Sequence, residues 1–534
     1  MRHNPADMDR TFLRPAVVVF IASFCTLVIE IVAGRIMAPY VGVSLYTWTS
    51  IIGVVLAGIS AGAWVGGMVA DRRPQSSTLG FLLLLSGLAS VAIGPLTEVL
   101  AASDGLLTTM GIGNTLVSRV IWLAFLLFFV PSFLLGMISP VAVKLAVSNL
   151  ASTGRVVGAL YAISTAGSIA GTFATGFYLI ASFGTRATLY GVAACLVATA
   201  LLAGGLLEKR QRIVAAILLA VAGAWLAVQP RDMPPPVQRL RLGPETGTIH
   251  TEESQYYTIE VAATPRSDNG EPILALNLDH LTHSYSDPTD PDHFEYGYLK
   301  IFREVIRWKQ STIPDFSALF LGGGGYTLPR FIEREWLGAS VDVVEIDPAV
   351  TRTAYRFLGL GPGTRVRSFN EDARWHLMRS NQRYDAVVID VFNDLSVPYH
   401  LTTSQLTREL ERILAMNGVV MANVIDNYAR GRFLPSYIRT LQSVFGEDQV
   451  ALILESRDDA GDASSTYVVV ASPALGLLLD FIQRNPKFEG YVLPHATLQK
   501  YLAEGSGIIL TDDYVPVDNM LAARFAERFV EVAE

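Results

Sequence analysis

Four consecutive glycines, Gly322, Gly323, Gly324 and Gly325, end an apolar run that begins at Ala318, and an acid, Glu345, ends the next apolar run. Glycines let a backbone come close to a ligand, and an acid at the tip of the following strand can accept both hydroxyls of a ribose. Two more acids stand in comparable places. Asp372 follows the apolar position Val366, and Asp390 closes Tyr384-Asp-Ala-Val-Val-Ile-Asp. These types at these spacings point to a bound nucleoside.

Such residues work only if strands and helices bring them together. The pattern predicts a strand over 318–321, a helix over 328–336 and a strand ending at Glu345, with Asp347 two residues on. A third strand around Val366 leads to a helix opening at Glu371-Asp372. A fourth strand ends at Asp390, and a loop with Tyr399 and His400 precedes a helix from about 403. Further strands are expected at 418–423, 449–455 and 465–471. Alternating strands and helices argue for an α/β, mostly parallel, doubly wound sheet, whose ligands bind at the carboxyl ends of the strands. The glycines, Glu345, Asp372 and Asp390 all fall at such ends. Upstream, 247–286 reads as a small β domain, with strands at 256–261 and 273–278 joined by the turn-rich 265–272, and 294–308 reads as a helix.

The other half of the chain differs. The protein has 534 residues, 51% of them hydrophobic and only 17% charged, and the excess of apolar residues lies in 15–228. A membrane-crossing helix needs about 20 apolar residues. Seven segments qualify or nearly do: 15–38, 46–70, 77–101, 117–139, 156–181, 185–207 and the short 213–228. The first is read as a retained span. Gly58, Gly62 and Gly66, like the small residues of 158–171, would let such helices pack closely. Glu30 and Arg35 near the first span suggest either a polar cavity or an ion pair between helices. The expected organisation is therefore 1–228 transmembrane, 229–246 a proline-containing linker, 247–286 the small β domain and 287–534 the α/β domain. The arginines and lysines on alternate loops place the N-terminus in the cytoplasm, whereas seven crossings would leave the C-terminal part outside.

Cys25 and Cys195 are the only cysteines, both in apolar segments, and give no disulfide framework. Asp279, His280 and His283 cluster, but no further ligand is spaced to close a metal site, and no metal is expected. A net charge of −8 without a basic stripe gives no support for a nucleic-acid partner.

Residues 247–475 resemble the spermidine synthase (aminopropyltransferase) family. The resemblance rests on Leu321-Gly-Gly-Gly-Gly, Val343-Val-Glu-Ile-Asp-Pro348, Tyr384 to Asp390, Leu278-Asp279 with His283, and Tyr296. The apolar half and Leu510-Thr-Asp-Asp-Tyr-Val-Pro516 are similar to membrane-fused members. The resemblance implies a Rossmann-like catalytic domain in which Gly322–Gly325, Glu345, Asp372 and Gln255 hold the nucleoside. Glu345 would take the ribose hydroxyls and Asp372 the adenine amino group, unless Asp372 merely caps a helix. Asp390 would be the general base, helped by Tyr296, unless it only caps the following loop. His283, Asn393, Asp394, Asp512 and Asp513 would bind the second substrate; for the last two a capped turn is the other reading. The family carries acids where this chain has Gly325 and Asn393, and glutamine where it has His283. These departures weaken the site for a polycationic amine and lessen repulsion of a carboxylate.

The implied function is a membrane-anchored transferase acting on S-adenosylmethionine or its decarboxylated form. It would move an aminopropyl or aminocarboxypropyl group to an amine, a polyamine or a lipid headgroup, and release methylthioadenosine. Intramolecular cyclisation or elimination of S-adenosylmethionine, a methyltransferase, and a nucleoside-sensing transporter are the other readings. The expected location is the inner cell membrane, with the catalytic domain in the cytoplasm, where the ligand is made. Membrane lipids are partners, and a homodimer is left open.

Overall fold

The computed structural model describes residues 5–41, 44–102, 116–147, 153–202, 247–279, 281–313, 315–391, 397–461 and 463–521. The short seventh apolar segment, 213–228, and the linker 229–246 lie outside them. The chain divides into an N-terminal helical unit and a C-terminal unit built on sheets.

The N-terminal unit contains α1 (Pro5–Val41), α2 (Leu45–Arg72), α3 (Ser76–Ala102), α4 (Leu116–Ala146), α5 (Thr153–Ala174) and α6 (Ile180–Leu202). Among the described residues, six helical stretches are long and apolar enough to cross a membrane. A π-turn, Thr175–Leu179, follows α5, and Gly184 (φ 78°) kinks α6 near its start. The glycine rows face neighbouring backbones. A Cβ at Gly62 or Gly66 would collide with Phe133 or Met137 of α4, and one at Gly167 or Gly171 with Phe20 or Phe24 of α1. In lipid, where apolar burial drives little association, such contact is the main source of packing energy.

The C-terminal unit begins with a four-stranded antiparallel sheet in the order β1-β2-β3-β4. Its strands are β1 (Thr248–Glu253), β2 (Thr258–Pro265), β3 (Pro272–Leu278) and β4 (Leu281–Ser286). The sequence pattern showed only the middle two. Helix α7 (Gly297–Gln310) follows, and then β5 (Ser317–Leu321), α8 (Thr327–Glu335), β6 (Ser340–Val344), α9 (Pro348–Arg356), β7 (Arg367–Phe369), α10 (Ala373–Arg379), β8 (Tyr384–Ile389), α11 (Ser404–Ile413) and β9 (Leu414–Asn427). The chain continues through α12 (Phe433–Phe445), β10 (Val450–Leu454), β11 (Ser464–Ala471), α13 (Leu475–Arg484), β12 (Tyr491–Val492) and α14 (His495–Glu504).

Eight of these strands form one sheet, β12-β10-β11-β9-β8-β5-β6-β7. Strands β9, β8, β5, β6 and β7 run parallel, and β11, β10 and β12 add antiparallel pairs at one edge. Strand β8 is buried at every position, as a strand covered on both faces must be. A buried carboxylate ties three strands together: Asp342 of β6 accepts from Arg367 Nε at 2.6 Å, from Arg367 Nη2 at 2.8 Å and from Tyr384 Oη at 2.7 Å. The helices start on polar caps. Asp347 accepts from Ala349 N ahead of α9, Asp372 from Trp375 N ahead of α10, and Thr403 from Leu406 N ahead of α11.

Candidate active site

Across the parallel strands, the carboxyl ends present Asp372 after β7, Glu345 after β6, Gly322–Gly325 after β5, Asp390 after β8, and Asn423 within β9. Backbone hydrogen bonds extend the ladders past the strand ends: Gly322 N to Val344 O, Glu345 N to Phe369 O and Asp390 N to Leu321 O. Each functional side chain is therefore set by the sheet itself. Three strand steps separate Asp372 from Asp390, roughly 14 Å at the usual spacing. A cavity of about 410 Å³ runs along this row.

The glycine turn is built to touch its neighbours. Gly322 has φ 93°, and a Cβ there would strike the carbonyl of Asp390. Glu345 is 7% exposed, and its Oε2 accepts from Gly323 N at 2.8 Å and Gly324 N at 3.4 Å, while Oε1 accepts from Asp347 N at 2.9 Å. Burial pushes the Glu345 carboxyl up, and these N–H groups oppose it. A carboxylate has about four acceptor positions, so room remains for ligand hydroxyls. Tyr326, buried in the left-handed region at φ 55°, anchors the turn through contacts of its hydroxyl with Thr351 and Ser368, each 3.2 Å.

Asp372 caps α10 and lines the cavity at once. Burial works against its ionisation, but Trp375 N–H, His400 at 2.8 Å and Arg374 N–H together hold its carboxyl below the usual range. The cap and the ligand-facing position are thus compatible.

Asp390 is the most isolated acid. Its Oδ2 accepts from Tyr298 Oη and its Oδ1 from Asn423 Nδ2, both at 2.9 Å. Burial pushes its carboxyl above the ordinary range, opposed by Asn423, Tyr298 and the nearby His283. Burial and the Asp390 charge push the Tyr298 hydroxyl well up, which keeps its proton on the donor side of that bond. Tyr296 also lines the cavity, its hydroxyl donating to Thr282 O at 2.8 Å, and His283 stands beside it, its Nδ1 3.1 Å from Leu281 O.

Of the residues expected from sequence, Gly322–Gly325, Glu345, Asp372, Asp390, Tyr296 and His283 share this cavity. Gln255 is not among its lining residues. Asp512 is not among them either; its carboxylate accepts from Arg374 at 2.8 and 2.5 Å and from Thr403 at 2.7 Å, and Asp513 does not line the cavity. Asn393 and Asp394 are outside the described residues, as is His280. Among the described residues no group of three potential ligands could hold a metal ion. Sequence reasoning missed Tyr298, Asn423, Ser284 and Tyr256. Tyr256 lines the cavity, its hydroxyl pushed up by burial and by Asp347, Asp372 and Glu345. Asn423 closes its apolar run much as Asp390 does, a signal that could have been used.

Among the described residues, the lining side chains include three carboxylates and no lysine or arginine. Such a lining can accept hydroxyls and balance positive charge, and it sits at the strand ends of a Rossmann-like α/β unit.

No family model matches the chain. Among curated proteins it is similar to the polyamine aminopropyltransferase of Vibrio vulnificus, 30% identical over 170 residues, covering 31% of this chain and 54% of that one. It is also similar to a probable polyamine aminopropyl transferase of Bifidobacterium longum, 24% identical over 216 residues, covering 38% and 48%. The chain thus spans about half the length of these curated relatives. A crystal structure of a probable spermidine synthase from Corynebacterium glutamicum matches with a TM-score of 0.41 at 18% identity, over 50% of this chain and 97% of that one. Spermidine synthase from Thermotoga maritima matches with a TM-score of 0.38 at 17% identity, over 48% and 87%. The C-terminal part of this chain is thus similar in sequence to polyamine aminopropyltransferases.

Proposed function

We propose that this protein is a membrane-anchored transferase acting on S-adenosylmethionine or its decarboxylated form. It moves an aminopropyl or aminocarboxypropyl group to an amine, a polyamine or a lipid headgroup, and releases methylthioadenosine. The observation that carries this is Asp390: a half-buried acid, held by Tyr298 and Asn423, at the end of a row that begins with acids suited to adenine and ribose.

In this reading Asp372 meets the adenine edge and Glu345 the ribose hydroxyls, with the glycine turn under the ribose and sulfur. The attacking amine arrives as an ammonium. Asp390 takes its proton, the freed lone pair bonds to the methylene beside sulfur, and the C–S pair returns to sulfur. Burial raises the basicity of Asp390 towards that task, and the two hydrogen bonds fix its direction. The sulfonium is already a good leaving group, so positioning supplies most of the acceleration. The catalytic unit works in the cytoplasm, at the inner membrane that the apolar helices cross.

The test is the Asp390→Asn protein. Turnover should fall by about 10²- to 10⁴-fold, the usual worth of a general base. Methylthioadenosine binding, followed by calorimetry, should persist. Normal turnover by this variant would remove Asp390 from the mechanism.

A further inference from the structure

The one acid deep in the helical unit has no counter-charge. Within the six apolar stretches of the described residues, the only acids are Glu30 and Asp71. Asp71 stands at the end of its stretch and pairs with Lys144 at 2.9 Å. Glu30 belongs to the stretch Phe12–Ala38 of α1, and about 12 Å of helix separate it from the nearer end. Among the described residues it has neither a hydrogen-bond nor an ion-pair partner. Arg35, five residues on, lies about 140° round the helix and does not pair with it. A carboxyl at such depth is costly, and one that is kept meets a partner or a ligand.

The neighbourhood of Glu30 is electron-rich. Thr26, Glu30 and Gly34 stand one turn apart along a single ridge of α1. The Thr26 hydroxyl is 8% exposed and already donates to Ala22 O at 2.8 Å, so it has only lone pairs left to offer. Gly34 has no side chain, and the ring of Trp48, near the start of α2, fills that space. A Cβ on Gly34 would meet ring atoms at 2.8 and 2.9 Å. Trp48 is nevertheless 37% exposed, so part of its ring stays uncovered. A carboxylate, a hydroxyl oxygen and an indole ring suit an organic ammonium, through charge, hydrogen bonding and cation–π attraction. A hard metal cation such as calcium takes about six to eight oxygens, more than this ridge supplies.

We infer that the helical unit carries a separate site, for an organic ammonium, at Glu30 of α1 beside Trp48 of α2. The N–H groups of the ammonium donate to the Glu30 carboxylate and to Thr26 Oγ1, and its first carbons lie against the indole. Gly34 is about 6 Å inside the end of the stretch, so the site is entered from the membrane–water layer. A free alkylamine and the headgroup of an aminophospholipid present the same chemistry there.

Full-length protein in detergent is treated with dicyclohexylcarbodiimide, which attaches to carboxyls in apolar surroundings, and labelling of Glu30 is followed by peptide mass spectrometry. If the ligand is a free amine, butylammonium chloride should slow labelling about tenfold against potassium chloride of equal ionic strength. If it is a headgroup, nanodiscs of phosphatidylethanolamine should do so against nanodiscs of phosphatidylglycerol. Slowing in either arm supports the site and identifies its source. In Trp48→Leu, Glu30 should still label, and the protection should weaken about threefold. Equal labelling with and without the ammonium in both arms overturns the inference. So does protection that Trp48→Leu leaves intact, or a Glu30 that takes no label in any medium. None of these readouts requires turnover, so the proposed transferase stands or falls separately.

Discussion

Asp390 carries a pH signature that follows from its surroundings. Burial is the largest influence on it and raises its pKa. In the proposed mechanism the base form is the working one, so turnover should fall as pH drops through a value above that of an ordinary aspartate, about 3.9. The stability sign is opposite. A carboxyl whose pKa is higher folded than unfolded contributes stability at low pH that is lost as pH rises through the folded value. Asp390→Asn should therefore melt no lower than the parent at neutral pH, measured by thermal unfolding. Glu345→Gln keeps the shape but removes the charge that, in the proposed reading, faces the ribose. Its affinity for methylthioadenosine should drop about tenfold to a hundredfold, the scale of a lost hydrogen bond to a charged group, about 1.5–3 kcal/mol. Glu345, Asp372 and Asp390 were legible because each sits at the tip of an apolar run. Asn423 ends an apolar run in the same way, whereas Ser284 and Tyr298 were not legible, since only tertiary packing brings β4 and the start of α7 to the same wall.

At the scale of elements, the turn after β5 and the caps on the helices decide what the site can be. Gly322→Ala would force a side chain into the left-handed region and onto the Asp390 carbonyl. It should destabilise the fold by about 1–3 kcal/mol, read from denaturant midpoints, and shift the base as well. Asp512 illustrates the opposite case. Sequence resemblance suggests a contact with the amine, whereas the structure gives it a fork of hydrogen bonds to Arg374, which holds its carboxyl low. This half-exposed pair should be worth under about 1 kcal/mol. Asp512→Asn should therefore leave the KM for amine unchanged, which steady-state kinetics would check. Its partner lies 138 residues away in sequence, so no local pattern could show it. The order of parallel strands was legible from alternation. The antiparallel edge made by β10, β11 and β12 was not, because period and apolarity do not report direction.

For the whole molecule, two kinds of sequence meet in one chain. Among the described residues six stretches satisfy the length and apolarity of membrane spans, and several of their glycines meet neighbouring backbones closely. The protein should stay with membranes through high-salt and alkaline washes and leave only with detergent, as immunoblotting of the fractions would show. A fluorescent reporter fused to the C-terminus should light up if that end lies in the cytoplasm. The spans were legible as long apolar runs; which side each loop faces was not, since the basic residues flanking the seventh segment conflict with an odd number of crossings.

The nucleoside product tests the proposed transferase most directly. Full-length protein incubated with S-adenosylmethionine, its decarboxylated form and a set of amines should release methylthioadenosine, identified by mass spectrometry, and the release should collapse in Asp390→Asn. Appearance of S-adenosylhomocysteine in its place would mean methyl transfer, and would contradict the transferase described above.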